Sequence, residues 1–186
     1  MKLDAKSSAF IIIDLQNAIV GRELAPNSGP DVVKTCSRLA ASLRDKGCMI
    51  VYVRVNMNDF IQPEVDQPSR DPKAPPPPAS ASELVADCGV TAKDVLIVKR
   101  SWSAFPHTDL ERQLRARGIK TVIMGGIATN FGVESTAREA AGLGFNLIFP
   151  REAMTSMNEA AHRFAFEFIF PRLGRIRSTD EVIAAL

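Results

Sequence analysis

The sequence predicts a three-layer α/β/α sandwich built on a sheet of about six mainly parallel strands. Three observations lead there. Short, nearly unbroken apolar runs recur along the chain, as strands buried on both faces require. Amphipathic helical stretches separate these runs, and such alternation calls for crossovers that make the strands parallel and cover both faces of the sheet. The length of 186 residues suits one hydrophobic core, so residues 1–186 are expected to form one domain.

The elements follow in order. SAFIIIDL (8–15) reads as the first strand, and DVVKTCSRLAASLRDKG (31–47) as an amphipathic helix with Asp31 in its first turn and Gly47 as its stop. CMIVYVRV (48–55) is a second strand and DVLIVKR (94–100) a third. Residues 107–118 then read as a helix, 121–126 as a strand, 130–144 as a glycine-closed helix and 145–150 as a strand. A helix over 156–174 ends near Pro171, a short strand surrounds 175–177, and a last helix runs from Thr179 or Asp180 to Leu186. The result is a doubly wound, Rossmann-like sheet. One segment breaks the rhythm: residues 56–93, with Pro75–Pro78, are too long and proline-rich for an ordinary connection. Pro75–Pro78 reads as a stiff polyproline spacer, Asn56–Phe60 can line a pocket, and a short helix is expected near Ser82–Ala86.

Composition excludes several classes of function. Twenty-three basic and twenty-one acidic residues leave a scattered net charge of +2, without the basic footprint of a nucleic-acid binder. No apolar stretch approaches the roughly 20 residues that span a bilayer, and the charged N-terminus is unlike a signal peptide, so a cytoplasmic location is expected. Cys36, Cys48 and Cys88 lack metal-ligand or CxxC spacing and read as reduced structural thiols.

Chemistry concentrates at strand ends. Asp14 ends the first strand, Lys99 ends the third, and Gly132 opens the helix after the fourth, so a doubly wound sheet puts all three on its carboxyl edge. A carboxylate and an ammonium brought together there favour each other's charged form. Taken singly, Asp14 also reads as a cap and Lys99 as a solvated strand end. Trp102, Phe131 and Gln16 are candidate substrate contacts, with Arg54, Arg100 and Phe105 nearby. Phenylalanines at 164, 166, 168 and 170 fall on more than one helix face, which suggests a subunit interface as well as a core.

IIIDLQN with Asp14, IVKRSWSAF with Lys99 and GGIATNFGVESTAREAAGLGFNLIFPREA together resemble the isochorismatase-like hydrolases over nearly the whole chain. That superfamily includes isochorismatases, nicotinamidases and N-carbamoyl amide hydrolases. The resemblance implies that Asp14 is the general acid or base and Lys99 its charged partner. It further implies a cis peptide between Ile127 and Ala128, directing backbone N–H groups of Ala128 and Gly132 toward an oxyanion. Amide-cleaving members have cysteine at the position of Gly132, so thiol catalysis from this slot is excluded. Cys36, Cys48 and Cys88 are expected too far away to replace it, Cys48 and Cys88 at the opposite edge. Ser101, Ser103 and Ser135 are nearer but lack an obvious base. True isochorismatases also have glycine there and cleave a vinyl ether by protonation without a covalent intermediate.

Nicotinamidases hold a metal with an aspartate and histidines after the second strand. Here Asn56, Met57, Asn58 and Asp59 follow that strand without histidine, and His107 and His162 read as structural, so neither metal nor cofactor is expected. The expected partners are a small-molecule substrate and further copies of the chain, as a homodimer or larger. The expectation is a hydrolase acting by Asp14/Lys99 chemistry on a vinyl ether or related bond, the alternative a non-catalytic family member that binds a metabolite or protein.

Overall fold

A computed structural model describes residues 2–71 and 73–186 of the chain. Among these residues, seven strands form one sheet: β1 (Ser8–Ile13), β2 (Met49–Val55), β3 (Val95–Lys99), β4 (Thr121–Ile127), β5 (Asn146–Pro150), β6 (Met154–Thr155) and β7 (Arg175–Arg177). Their order is β3-β2-β1-β4-β5-β7 with β6 paired to the end of β4, and every pairing is parallel. The helices are α1 (Asn17–Val20), α2 (Gly29–Asp45), α3 (Leu110–Ala116), α4 (Glu134–Gly142), α5 (Glu159–Phe164), α6 (Phe170–Leu173) and α7 (Thr179–Ala184). This is the three-layer α/β arrangement expected from the sequence.

Alternation along β1 shows how both faces are filled. Ala9, Ile11 and Ile13 join Leu110, Leu114, Ala137, Ala140 and Phe170 in the core under α3, α4 and α6. Phe10 and Ile12 turn the other way, to Val32, Cys36, Leu39, Leu43 and Val182 of α2 and α7. Each of these larger side chains contributes about 1.5–3 kcal/mol when fully buried, so the central strand is held from both sides. The helix starts are set by local hydrogen bonds. The Ser28 hydroxyl accepts from Asp31 N–H at α2, the Asn158 side chain accepts from Ala161 N–H at α5, and Ser178 with Glu181 forms a capping box at α7.

Several elements differ from expectation. Residues 83–85 are extended, between 3₁₀ turns at Ala79–Ser82 and Ala86–Cys88, where a short helix was expected. Leu84 bridges Gln16, and the backbone groups a helix would use are spent on Asn17 N–H to Glu83 O and Val85 N–H to Leu15 O. The long loop therefore returns along the first strand's carboxyl end. The helix expected over 107–118 shortens to α3, because Thr108 Oγ1 turns back to the carbonyls of Ala104 and Phe105. The helix over 130–144 opens with a π-helical turn, Thr129–Val133. The stretch 156–174 divides into α5, a second π-helical turn (Ala165–Ile169) and α6; Pro171 has no N–H to continue a regular ladder. In that stretch Phe166 and Phe170 enter the core, while Phe164 and Phe168 are 54% and 52% exposed with ring centroids 5.2 Å apart. Among the described residues no helix is long and apolar enough to cross a membrane.

Close packing of β1 on β4 decides where the site forms. Gly126 pairs with Ile13 at φ 110°, and a Cβ there would run into the Ile13 carbonyl oxygen. Only glycine combines that backbone angle with that approach. Gly126→Ala should lower unfolding stability by about 3 kcal/mol or more, read from urea denaturation. Gly21→Ala, with open space around its Cβ, should change little; equal midpoints for the two variants would contradict the β1–β4 contact.

Candidate active site at the strand switch point

From β1 the chain moves outward to β2 and β3, then returns across the sheet to β4 and on to β5 and β7. Loops leaving the carboxyl ends of β1 and β4 diverge, and such a switch point is where open α/β sheets bind ligands. Asp14 follows β1 here with φ 53°, its backbone N–H donating to Val53 O at 2.9 Å. Lys99 closes β3, two strands away, a gap of about 9.5 Å at ordinary strand spacing. The lysine and aspartate side chains meet across that gap, and Nζ lies 2.9 Å from Asp14 Oδ2. Its other N–H bonds go to the main-chain carbonyls of Ser101 at 3.1 Å and Trp102 at 3.0 Å. Lys99 is 1% exposed, so the protein supplies an acceptor for each of its three donors.

Asp14 is less evenly satisfied. Oδ2 receives Lys99, whereas Oδ1 is buried without a hydrogen-bond partner among the described residues. Burial pushes this carboxyl above the ordinary carboxylate range, and the charge and hydrogen bond of Lys99, with a smaller contribution from the Val55 backbone, pull it back only in part. A carboxyl group with one free buried oxygen and raised proton affinity can hold a proton there and deliver it.

Gly132 adjoins the pair. A Cβ on it would lie 2.9 Å from Ile13 Cγ2, 3.2 Å from Asp14 Oδ2 and 3.4 Å from Lys99 Nζ. Residue 132 is therefore within reach of both polar groups, and any side chain would have to displace the Ile13 methyl. The Ile127–Ala128 peptide immediately before the turn is cis, and Val133 N–H closes the turn on Ala128 O at 3.2 Å.

Trp102 and Phe131 stack with centroids 4.9 Å apart, and Phe60 meets Trp102 edge-on at 5.1 Å. Trp102 and Phe131 are 40% and 39% exposed. They belong to the two loops that carry the site, since the Trp102 carbonyl holds Lys99 and Phe131 precedes Gly132. Gln16 is placed otherwise than expected. It is wholly buried, its Nε2 donates to Val55 O and its Oε1 accepts from Val55 N–H, so it ties the end of β1 to β2 instead of facing a ligand. Phe105 packs in the core near Phe145, Arg54 donates to Ser82 O, and Arg100 pairs with Asp59 at 2.7 Å.

The three cysteines are buried. Cys36 Sγ faces Ala153 O and Cys88 Sγ lies 3.6 Å from Leu15 O, which corrects the expectation that Cys88 lies at the opposite sheet edge. The returning loop carries it to the end of β1. Burial pushes the Cys88 thiol up to about 12 and Cys48 to about 11, and raises Cys36 as well, so none is disposed to form a thiolate. Among the described residues no group of three or more His, Cys, Asp or Glu is placed to hold a metal. Asp59, the acidic residue after β2, is taken by Arg100. His107 is in a loop at φ 59°, and buried His162 meets Thr129 Oγ1 through Nδ1 at 2.9 Å.

Other groups at the site were not foreseen. The carbonyls of Ser101 and Trp102 carry no signal in a sequence, because every residue has one. Ser103, expected to lack a base, donates to Glu139 Oε2 at 2.6 Å. Thr136, a buried hydroxyl one turn after Gly132, was legible only as an unusual polar residue on the inner helix face.

An acid–lysine pair at the switch point, beside a tight turn leaving the next strand, defines an α/β protein with its working site at the carboxyl edge of a parallel sheet. The chain belongs to the isochorismatase family: the Isochorismatase domain model matches residues 8–181. It is 40% identical to the isochorismatase family protein YecD of Escherichia coli O157:H7 over all of both chains. It is 28% identical to the ureidoacrylate amidohydrolase RutB of Variovorax paradoxus strain S110, across 87% of this chain and 73% of that protein. An isochorismatase family protein of Burkholderia thailandensis superposes with a TM-score of 0.91 at 36% identity, covering 100% of this chain and 97% of the other. The chain is thus an isochorismatase-family hydrolase.

The raised proton affinity of Asp14 has a sign in stability. The folded state binds this proton more tightly than the unfolded chain, so the contribution is complete below the ordinary carboxylate value near 3.8 and is lost as pH rises through the folded value. Urea unfolding across that window should therefore show wild-type stability falling relative to Asp14→Asn as pH increases. A difference that stays constant with pH would mean that Asp14 titrates normally.

Proposed function

We propose that this protein hydrolyses a small planar metabolite at a vinyl ether or related bond by Asp14/Lys99 acid–base chemistry, and belongs to a glycine-bearing subgroup without a cysteine nucleophile. The observation that carries this reading is the unpartnered buried Oδ1 of Asp14, next to a residue 132 that interposes no side chain. In the proposed reaction, protonated Asp14 gives its proton from Oδ1 to the enol ether carbon, leaving an oxocarbenium ion and a carboxylate. Lys99 holds that carboxylate in place through Oδ2. Water adds to the cation and returns a proton to Asp14, and the resulting hemiketal or hemiacetal collapses to a carbonyl compound and an alcohol. The backbone N–H groups of Ala128 and Gly132 are the proposed donors to substrate oxygen, with Trp102 and Phe131 offering aromatic faces to a planar substrate.

This mechanism requires the protonated acid, so turnover should fall as pH rises through the raised Asp14 value. Asp14→Asn and Lys99→Ala should each abolish turnover in a panel of vinyl ethers, amides, carbamoyl compounds and imides, while the proteins remain folded. Absence of turnover by wild type across that panel, with ligand binding that survives both substitutions, would instead identify a binding protein.

Gly132→Cys tests the space above the pair. The new Cβ must displace Ile13 Cγ2, so stability should drop by about 1–3 kcal/mol and vinyl ether turnover should be lost to the intruding thiol. Full turnover in that variant would show that substrate does not occupy this space.

A further inference from the structure

Two loops build the candidate site, and they meet at one hydroxyl. The first, residues 101–104, supplies the Ser101 and Trp102 carbonyls that hold Lys99 Nζ at 3.1 and 3.0 Å. The second is the turn that carries Gly132 into α4. Thr136, fully buried in the first half of α4, donates its hydroxyl proton to Gly132 O at 2.7 Å and accepts from Ala104 N–H at 3.1 Å. One helical turn on, Glu139 receives the Ser103 hydroxyl at 2.6 Å. Positions 136 and 139 share a helix face, so α4 grips the lysine loop at two consecutive residues.

We propose that Thr136 is a positioning residue for the Asp14–Lys99 pair, fixing the loop that holds the lysine against the turn that carries Gly132. This rests on the reading that Asp14 and Lys99 are the working pair. The chemistry suits threonine, because a hydroxyl donates one hydrogen bond and accepts another at the same time. Valine has the same shape and does neither, which leaves Ala104 N–H buried and unpaired. Release of Ala104 frees the adjoining carbonyls, which loosens the grip on Lys99 and alters its 2.9 Å contact with Asp14. Misplacement of a reacting group by about 1 Å can cost on the order of a hundredfold in rate, so the tie bears on function without touching substrate.

The test needs no substrate. The chain of residues 1–186, labelled with carbon-13 at aspartate carboxyl carbons, is titrated by NMR as wild type, Thr136→Ser and Thr136→Val, with Asp14→Asn assigning the resonance. Thr136→Val should move the Asp14 midpoint by about half a pH unit or more, roughly a threefold change in proton affinity, and Thr136→Ser should restore the wild-type value. A Thr136→Val midpoint equal to wild type, or a Thr136→Ser shift as large as that of valine, would overturn the positioning role. Should Thr136→Val not fold, Thr136→Cys, whose thiol is a weak donor and acceptor, carries the same expectation. A wild-type Asp14 that titrates in the ordinary carboxylate range would overturn the proposed acid role instead, and the comparison among residue-136 variants would still decide this one.

Discussion

The contact between Lys99 and Asp14 constrains everything around it. Taking two charges out of water costs several kcal/mol for each ion, and a single close contact returns that cost only when the remaining hydrogen-bonding capacity is also met. The protein meets it for the lysine. Its side chain meets that of the aspartate across β2, and the chain folds back after β3 so that two consecutive carbonyls face the nitrogen. The aspartate is treated differently, with one oxygen engaged and the other left free in a buried position. That asymmetry lends the site its proposed chemistry, because burial raises the proton affinity of the carboxyl group and the free Oδ1 is the oxygen on which a proton can be held.

Close backbone packing sets the floor under this pair. Gly125 and Gly126 let β4 lie directly against Phe10 and Ile13 of β1, and the cis Ile127–Ala128 bond follows immediately. The π-helical turn then brings Gly132 over the same isoleucine, within 3.4 Å of Lys99 Nζ for a hypothetical Cβ. Glycine at 132 therefore belongs to a packed arrangement in which a methyl of Ile13 occupies part of the space a side chain would need. The aromatic stack of Trp102 on Phe131 extends from the same two loops, so the groups around the pair are all carried by a few short connections.

Much of the architecture was legible in the residues because burial on two faces leaves a strong periodic signal. SAFIII is apolar from Ala9 onward, since β1 is covered by helices on both sides, and α2 shows the one-sided pattern of a helix on a sheet. Features without periodicity were not legible. The two-residue β6 is too short to carry a pattern, and residues 83–85 are extended because a distant segment, 15–17, takes their hydrogen bonds. Gln16 is two residues beyond Asp14 and polar, which made it resemble a ligand contact; its amide instead completes the backbone pairing of Val55.

The sequence by itself determined the parallel α/β plan and the placement of Asp14, Lys99 and Gly132 at strand ends, because strand burial and sheet topology follow from local patterns of apolar residues. Only the tertiary structure decided that the lysine and the aspartate meet across β2, that two main-chain carbonyls hold the lysine, and that Thr136 joins the loops involved. These depend on distances between segments far apart in the chain. Backbone carbonyls and a single hydroxyl look alike at every position until folding chooses their partners.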